Sequence, residues 1–145
     1  MSVDPTVIVA HARGWIGTPY RHQASLRGAG ADCLGLLRGV WRETYGREPE
    51  DIPPYTADWS EPGGEERLWQ AALRHLCPVD WRAALETGQV VLFRMCEGSV
   101  AKHLGLVAQD GPFPSFIHAY SGHGVVESPL SVPWRRRIVA RFVLP

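Results

Sequence analysis

The sequence predicts an α+β fold, with helices first and an antiparallel sheet after them. Three observations lead there. Apolar residues recur at helical spacing over the first half of the chain, whereas from Gly88 onward they fall in short runs rich in Val, Ile and Phe and bounded by turn residues. The length and balance, 145 residues with 45% hydrophobic and 21% charged, suit one globular domain that can bury its own core, so residues 1–145 are read as a single domain.

Pro5 to Ile16 reads as the first helix: Asp4 can cap it, Pro5 suits its first position, and Val7, Ile8, Ala12, Trp15 and Ile16 recur along it. Gly17 and Pro19 end it. Tyr20 to Ala31 has almost no periodicity and is expected to be a loop. The next helix carries the strongest pattern, because Leu36, Leu37, Val40, Trp41 and Thr44 form a stripe that begins at Cys33. Asp32 stands at the N-cap position and Gly46 at the left-handed C-cap position. Arg47 to Gly64 is rich in proline and acidic residues and is expected to be an irregular surface excursion. Glu65 to Leu76 reads as an amphipathic helix stopped by Pro78, with a short helical turn at Trp81 to Leu85. Strands are expected at Gln89 to Met95, His103 to Ala108, Ser115 to Tyr120, Gly124 to Glu127 and Ile138 to Val143.

Composition excludes several function classes. Fifteen basic residues offset fifteen acidic ones, so no global field points to nucleic acid or an anionic membrane, and the run Arg135 to Arg137 reads as a solvated strand edge. No stretch reaches the roughly 18 apolar residues of a membrane span, and Met1 to Ala10 has no basic n-region followed by an apolar run, so export by its own signal is not expected. Three cysteines without a C-x-x-C pair argue against a disulfide framework or a zinc knuckle; Cys77 and Cys96 read as small apolar residues.

Cys33 differs from them. At a helix start its thiolate is favoured by the helix dipole and unpaired N–H groups, which can bring a thiol from ~8.5 into the range of ~3.5 to 7.5. A thiol nucleophile also needs a base and a group to orient that base. His103 opens one predicted strand and His118 lies in the next, beyond a turn at Asp110-Gly111-Pro112, so the two imidazoles can share one face of a hairpin. A zinc site from Cys33, His103 and His118 is chemically possible, but no local ligand spacing supports it.

Five segments in order resemble the NlpC-type cell-wall peptidases, a circularly rearranged branch of the papain-like fold. Gly17-Thr18-Pro19-Tyr20-Arg21 is similar to their G-x-P-Y-x, Asp32-Cys33-Leu34-Gly35-Leu36 to D-C-S-G-L, and Gly88-Gln89-Val90-Val91-Leu92-Phe93 to G-D-L-V-F-F. His103-Leu104-Gly105-Leu106-Val107 is similar to H-V-G-I-Y, and Ile117-His118-Ala119 to the strand of the third catalytic residue. The resemblance implies Cys33 as nucleophile, His103 as general base and His118 as its orienting partner, with Asp110 as the alternative. It also implies Tyr20 and Asp32 near the oxyanion or substrate, and no cofactor or metal. Residues 47–80 lie outside the family's common core. Leu34, Gln89 and His22 depart from the pattern, standing for a serine, an aspartate and an aromatic residue.

More narrowly, Gly30-Ala31-Asp32-Cys33-Leu34-Gly35-Leu36 with Gly39-Val40-Trp41-Arg42-Glu43 resembles the tail-associated peptidases of phages and gene transfer agents. That implies synthesis in the cytoplasm, incorporation into a phage-like tail beside tail or baseplate proteins docked on the excursion, and a peptidoglycan stem peptide as substrate. The alternatives are an inactive structural tail-tip component and a thiol acyltransferase on the same fold.

Overall fold

The computed structural model describes residues 3–50 and 64–145. The chain runs α1 (Pro5–Arg13), β1 (Ser25–Leu26), β2 (Gly30–Ala31), α2 (Cys33–Tyr45), α3 (Arg67–His75), β3 (Cys77–Pro78), β4 (Val90–Phe93), β5 (His103–Gln109), β6 (Ser115–Tyr120), β7 (Gly124–Pro129), α4 (Val132–Arg135) and β8 (Ile138–Val143). β1 and β2 form a small hairpin, and the other six strands form an antiparallel sheet in the order β3-β8-β4-β5-β6-β7. The α+β class with helices ahead of an antiparallel sheet is as the sequence predicts.

α1 and α2 form where capping and periodicity place them. Asp4 accepts from the Thr6 amide with Pro5 in the first turn, and α2 ends on Gly46 at φ +82°, the left-handed conformation a glycine adopts without penalty. The helices meet closely because Gly39 lacks a side chain: a Cβ there would lie 2.0 Å from the Trp15 ring. The Trp15 indole N–H is satisfied by Glu43 at 3.1 Å.

Strand alternation then divides the sheet into two faces. Val90 and Leu92, Leu104 and Leu106, and Ile117 and Ala119 point toward α1 and α2 and join Ile8, Val9, Leu36 and Val40 in the main core. Val91, Phe93, Val107, Phe116 and Leu130 form a second cluster on the opposite face.

Several expectations are corrected. The Tyr20–Ala31 segment is not merely a loop: it contains the β1–β2 hairpin, and Tyr20 bridges Ala31. The turn expected at 81–85 is a single one, closed by the Ala83 amide on the Asp80 carbonyl, and it goes no further into a helix where the Arg141 guanidinium takes the carbonyls of Trp81, Ala83 and Ala84. α3 is shorter than Glu65–Leu76, since Leu76 is already extended and Cys77–Pro78 pairs with β8. Arg135 to Arg137 is no strand edge: it ends α4, a helix the sequence reading lacks, and precedes β8. Cys77 and Cys96 are exposed, which is not how small apolar residues pack.

Most of the Arg47–Gly64 excursion lies outside the described residues. Its near end is fastened where Glu48 pairs with Arg38 and Arg42 on α2, and Glu50 pairs with Arg74 and His75 on α3. Among the described residues no helix is long and apolar enough to cross a membrane.

Candidate active site

The pairing of β5 with β6 runs from Gln109–Ser115 to Leu106–Ile117 and stops three residues short of His103. Backbone groups at that end of β5 are thereby free for other partners, and the N-terminus of α2 meets them. The Cys33 thiol donates to the Lys102 carbonyl at 3.4 Å, and the Leu104 amide points at the same sulfur. Backbone groups on either side of His103 therefore both touch Cys33. The amides of Cys33 itself and Leu34 also face the sulfur.

Asp32 makes this helix start rigid. One carboxylate oxygen accepts from the Gly35 amide at 2.7 Å as the N-cap, a bond of about 1 kcal/mol, and the other accepts from the Gln23 amide at 2.8 Å. Gln23 adopts φ +65°, unusual for a residue with a side chain, and its bond to Asp32 holds it there. His22 Nδ1 lies 3.8 Å from Asp32. Gly35 follows from the same packing: a Cβ there would lie 1.8 Å from the Ala24 carbonyl oxygen. The structure thus places Asp32 as the brace of the helix start. Tyr20 is half-buried, and its phenol is held above its ordinary value first by burial and then by Cys33 and Asp32, so it belongs to the same cluster.

The two histidines are diagonal neighbours on the face turned away from α2. His103 Nε2 lies 2.8 Å from His118 Nδ1, and His118 Nε2 lies 2.9 Å from Ser128 Oγ on β7. His118 is fully buried and His103 nearly so. Burial, and then the neighbouring histidine, push His103 down to about 3; burial, and then His123, push His118 down to about 4. Both are neutral at pH 7. Two neutral chains fit these distances: His103 Nε2–H donating to His118 Nδ1 with His118 Nε2–H donating to Ser128, or the reverse, running from the Ser128 hydroxyl through His118 Nδ1–H to His103 Nε2. Only the first leaves His103 Nδ1 without a proton.

The sulfur does not follow the sequence expectation of a lowered thiol. Burial, and then the Asp32 carboxylate, push Cys33 up to about 12 against its three backbone amides. The cap that favours the helix start carries a negative charge beside the sulfur, which a dipole argument alone omits. At rest the pair is therefore a thiol and a neutral imidazole.

Asp110, the alternative third residue, sits at the other end of β5, where it accepts from the Thr87 amide and hydroxyl at 3.0 and 3.1 Å. Among the described residues no group of three or more His, Cys, Asp or Glu is placed to hold a metal ion. A groove of about 1030 Å³ lined by Trp69, Leu73, Trp81, Arg135 and Arg141 shares no residue with the cluster and offers no nucleophile.

The sequence reading missed several neighbours. Ser128 ends the histidine chain, and Trp134 on α4 lies against both imidazoles. Ser131 at the N-cap position with Pro133 in the first turn was a readable helix start. Glu66 was also passed over: it accepts from Arg94 at 2.8 Å and from the Ala101 amide at 2.9 Å, and so fixes the loop that leads into Lys102.

No family model and no curated protein matches the sequence. Solved structures do match. An NlpC/P60 family protein from Bacillus cereus ATCC 10987 superposes over all of this chain with a TM-score of 0.68 at 20% identity. An NLP/P60 family protein similar to a lipoprotein, from Staphylococcus aureus Mu50, superposes over 99% of the chain at 0.64 and 17% identity. The chain spans 42% and 43% of those two proteins. It spans the whole NlpC/p60 domain of the peptidoglycan hydrolase SagA, with 98% of this chain covered, a TM-score of 0.63 and 23% identity. Together with the six-stranded sheet and the helix that starts at Cys33, these similarities establish that the chain has a papain-like fold of the NlpC/P60 type.

Proposed function

We propose that the protein is a cysteine endopeptidase that degrades peptidoglycan, cutting the stem-peptide amide between D-γ-glutamate and the diamino acid that follows. The observation that carries this reading is the junction at β5: one sulfur held at a helix start by groups on both sides of His103, whose far nitrogen is bonded to His118. The fold shared with the NlpC/p60 domain of a peptidoglycan hydrolase supports it.

In this reading Cys33 is the nucleophile, His103 the general base and His118 the orienting residue. The thiol proton passes to His103 Nδ1 as the sulfur attacks the amide carbon. The resulting oxyanion is held by the Cys33 backbone N–H, with Tyr20 lining the substrate side. His103 returns the proton to the departing amine, leaving a thioester. Water then attacks, gives one proton to His103, and releases the acid and the thiol. No cofactor enters any step.

The finer setting we propose is a phage-like or gene-transfer-agent tail, on the support of the phrases around Cys33 and Trp41. Residues 47–64 and the following helix would dock on neighbouring tail proteins. The decisive experiment is incubation with purified peptidoglycan and mass spectrometry of released fragments. New termini between the second and third stem residues are expected. No release would favour a structural tail component, and transfer to an added amine an acyltransferase. For the tail setting, particles bearing Cys33→Ala should assemble normally and deliver DNA poorly through intact wall; absence of the protein from particles overturns it.

A further inference from the structure

One ring of the cluster around the imidazole pair comes from outside the sheet. Trp134 lies 5.8 Å from His103 and 5.1 Å from His118, the latter edge-on at 81°. It also meets Phe93 at 5.3 Å, Phe116 at 5.1 Å and Tyr120 at 5.6 Å, so it contacts every other ring around the pair. Its own placement is over-determined. The Arg135 amide bonds to Ser131 and its guanidinium to the Leu130 carbonyl, the Arg137 amide bonds to the Trp134 carbonyl, and the Arg137 guanidinium stands 5.9 Å from the Trp134 ring. The basic run that follows α4 thus helps hold this indole.

We propose that Trp134 is the positioning residue of the imidazole pair, closing its solvent side and fixing the ring orientations that leave His103 Nδ1 for Cys33. The activity readout of this proposal rests on the hydrolase reading; its spectroscopic readout does not. Edge-to-face contacts discriminate between ring rotations in a way that aliphatic packing does not. A hydrogen bond between two neutral imidazoles also persists only where water cannot compete for either nitrogen. Trp134 meets His118 edge-on at 81° and packs tilted at 34° on His103, so it orients the first ring directly and the second through their shared bond.

The side chains packed on His103 are Phe93 from β4, His118 and Tyr120 from β6, and Trp134 from α4, while the Cys33 thiol reaches the Lys102 carbonyl next to it in the chain. His123 stacks on Tyr120 at 5.2 Å, and Arg137 lies beyond the indole. None of these is a carboxylate that would favour an imidazolium. Uncovering the rings therefore raises their protonation range toward that of an ordinary imidazole, because burial is the main force holding them neutral.

The test compares wild type with Trp134→Ala, Trp134→Leu and Trp134→Phe, by imidazole ¹⁵N spectra across pH and by kcat and KM at pH 5 and 7.5. In wild type each imidazole should show a single neutral tautomer at pH 5. In Trp134→Leu, which keeps apolar bulk but loses the ring edge, tautomers should exchange and protonation move to higher pH. Its kcat should fall about tenfold at pH 5 and less at pH 7.5, with little change in KM. Trp134→Phe should restore most of both. If Trp134→Ala fails to fold, the Leu and Phe variants decide the matter. Unchanged tautomers and titration in a folded Trp134→Leu overturn the proposal. Shifted spectra in a protein that releases nothing from peptidoglycan support it and remove the hydrolase reading alone.

Discussion

The two faces of the six-stranded sheet are built on different principles. The face toward α1 and α2 is aliphatic, with Leu104, Leu106, Ile117 and Val90 packed against helix residues, and it depends on volume. The opposite face also buries Val91, Val107 and Leu130, but around the histidines it is rings, Phe93, Phe116, His103, His118, Tyr120 and Trp134, and there it depends on orientation. Substitutions on the first should therefore affect stability, and those on the second chemistry, although adjacent residues of β5 supply both.

The sharpest break of this contrast is His103→Ala. It should lower turnover by about 10² to 10⁴-fold with a melting curve close to wild type, measured by fragment release and circular dichroism. Near-normal hydrolysis in a folded variant would remove His103 from the mechanism. On the other face, Leu106→Ala should cost about 2–5 kcal/mol in urea unfolding while the folded fraction keeps its kcat. A selective loss of kcat there would erase the distinction between the faces.

The pH dependence of stability separates them further. Folded His103 and His118 stay neutral down to about 3 and about 4, whereas an ordinary imidazole protonates near 6.5. Unfolding therefore takes up protons in that window, and stability should decline as pH falls from about 6.5 toward 3, by up to about 1.4 kcal/mol per pH unit for each imidazole. His118→Phe should flatten that decline and Leu106→Ala should leave its slope unchanged. His118→Ala should lower turnover less than His103→Ala does, because it removes only the orienting bond.

The smallest effect concerns the thiol. Proton transfer inside the Cys33–His103 pair does not change its total protonation. Cys33 alkylation should therefore vary little with pH between about 3 and about 12, with His103→Ala removing the plateau. Exposed Cys77 and Cys96 serve as references in the same peptide map. A rate for Cys33 that climbs steeply with pH, as for a lone thiol, would show that the imidazole does not share its proton.

The aliphatic face was legible in the sequence because burial leaves a period: α2 could be read from Leu36, Leu37, Val40 and Trp41, and the strands from their short apolar runs. The residue types at the junction were also readable, since Asp32, Cys33, His103 and His118 each stand at a defined place in an element. What the pattern does not encode is how elements distant in the chain meet. Ser128 and Trp134 reach the imidazoles from β7 and α4, ten and sixteen residues beyond His118, with no periodic signal connecting them. The sign of the thiol shift was missed for a similar reason. A dipole can be read from a helix start, but the balance between burial, a neighbouring carboxylate and three amides needs coordinates. Two-residue β3 was hidden because Cys77 and Pro78 carry no alternation and pair only with the last residues of β8.

Ser128 gives the histidine chain an ending of a particular kind. A carboxylate in that place would stabilise a positive charge passed along the rings, and the site could hold its proton between steps. A hydroxyl orients without storing. In the proposed mechanism, with an uncharged terminus, an imidazolium at His103 would lean first on the thiolate and then on the oxyanion that replaces it, and would give up its proton as the amine departs. Each half of that cycle would then begin from an uncharged imidazole pair.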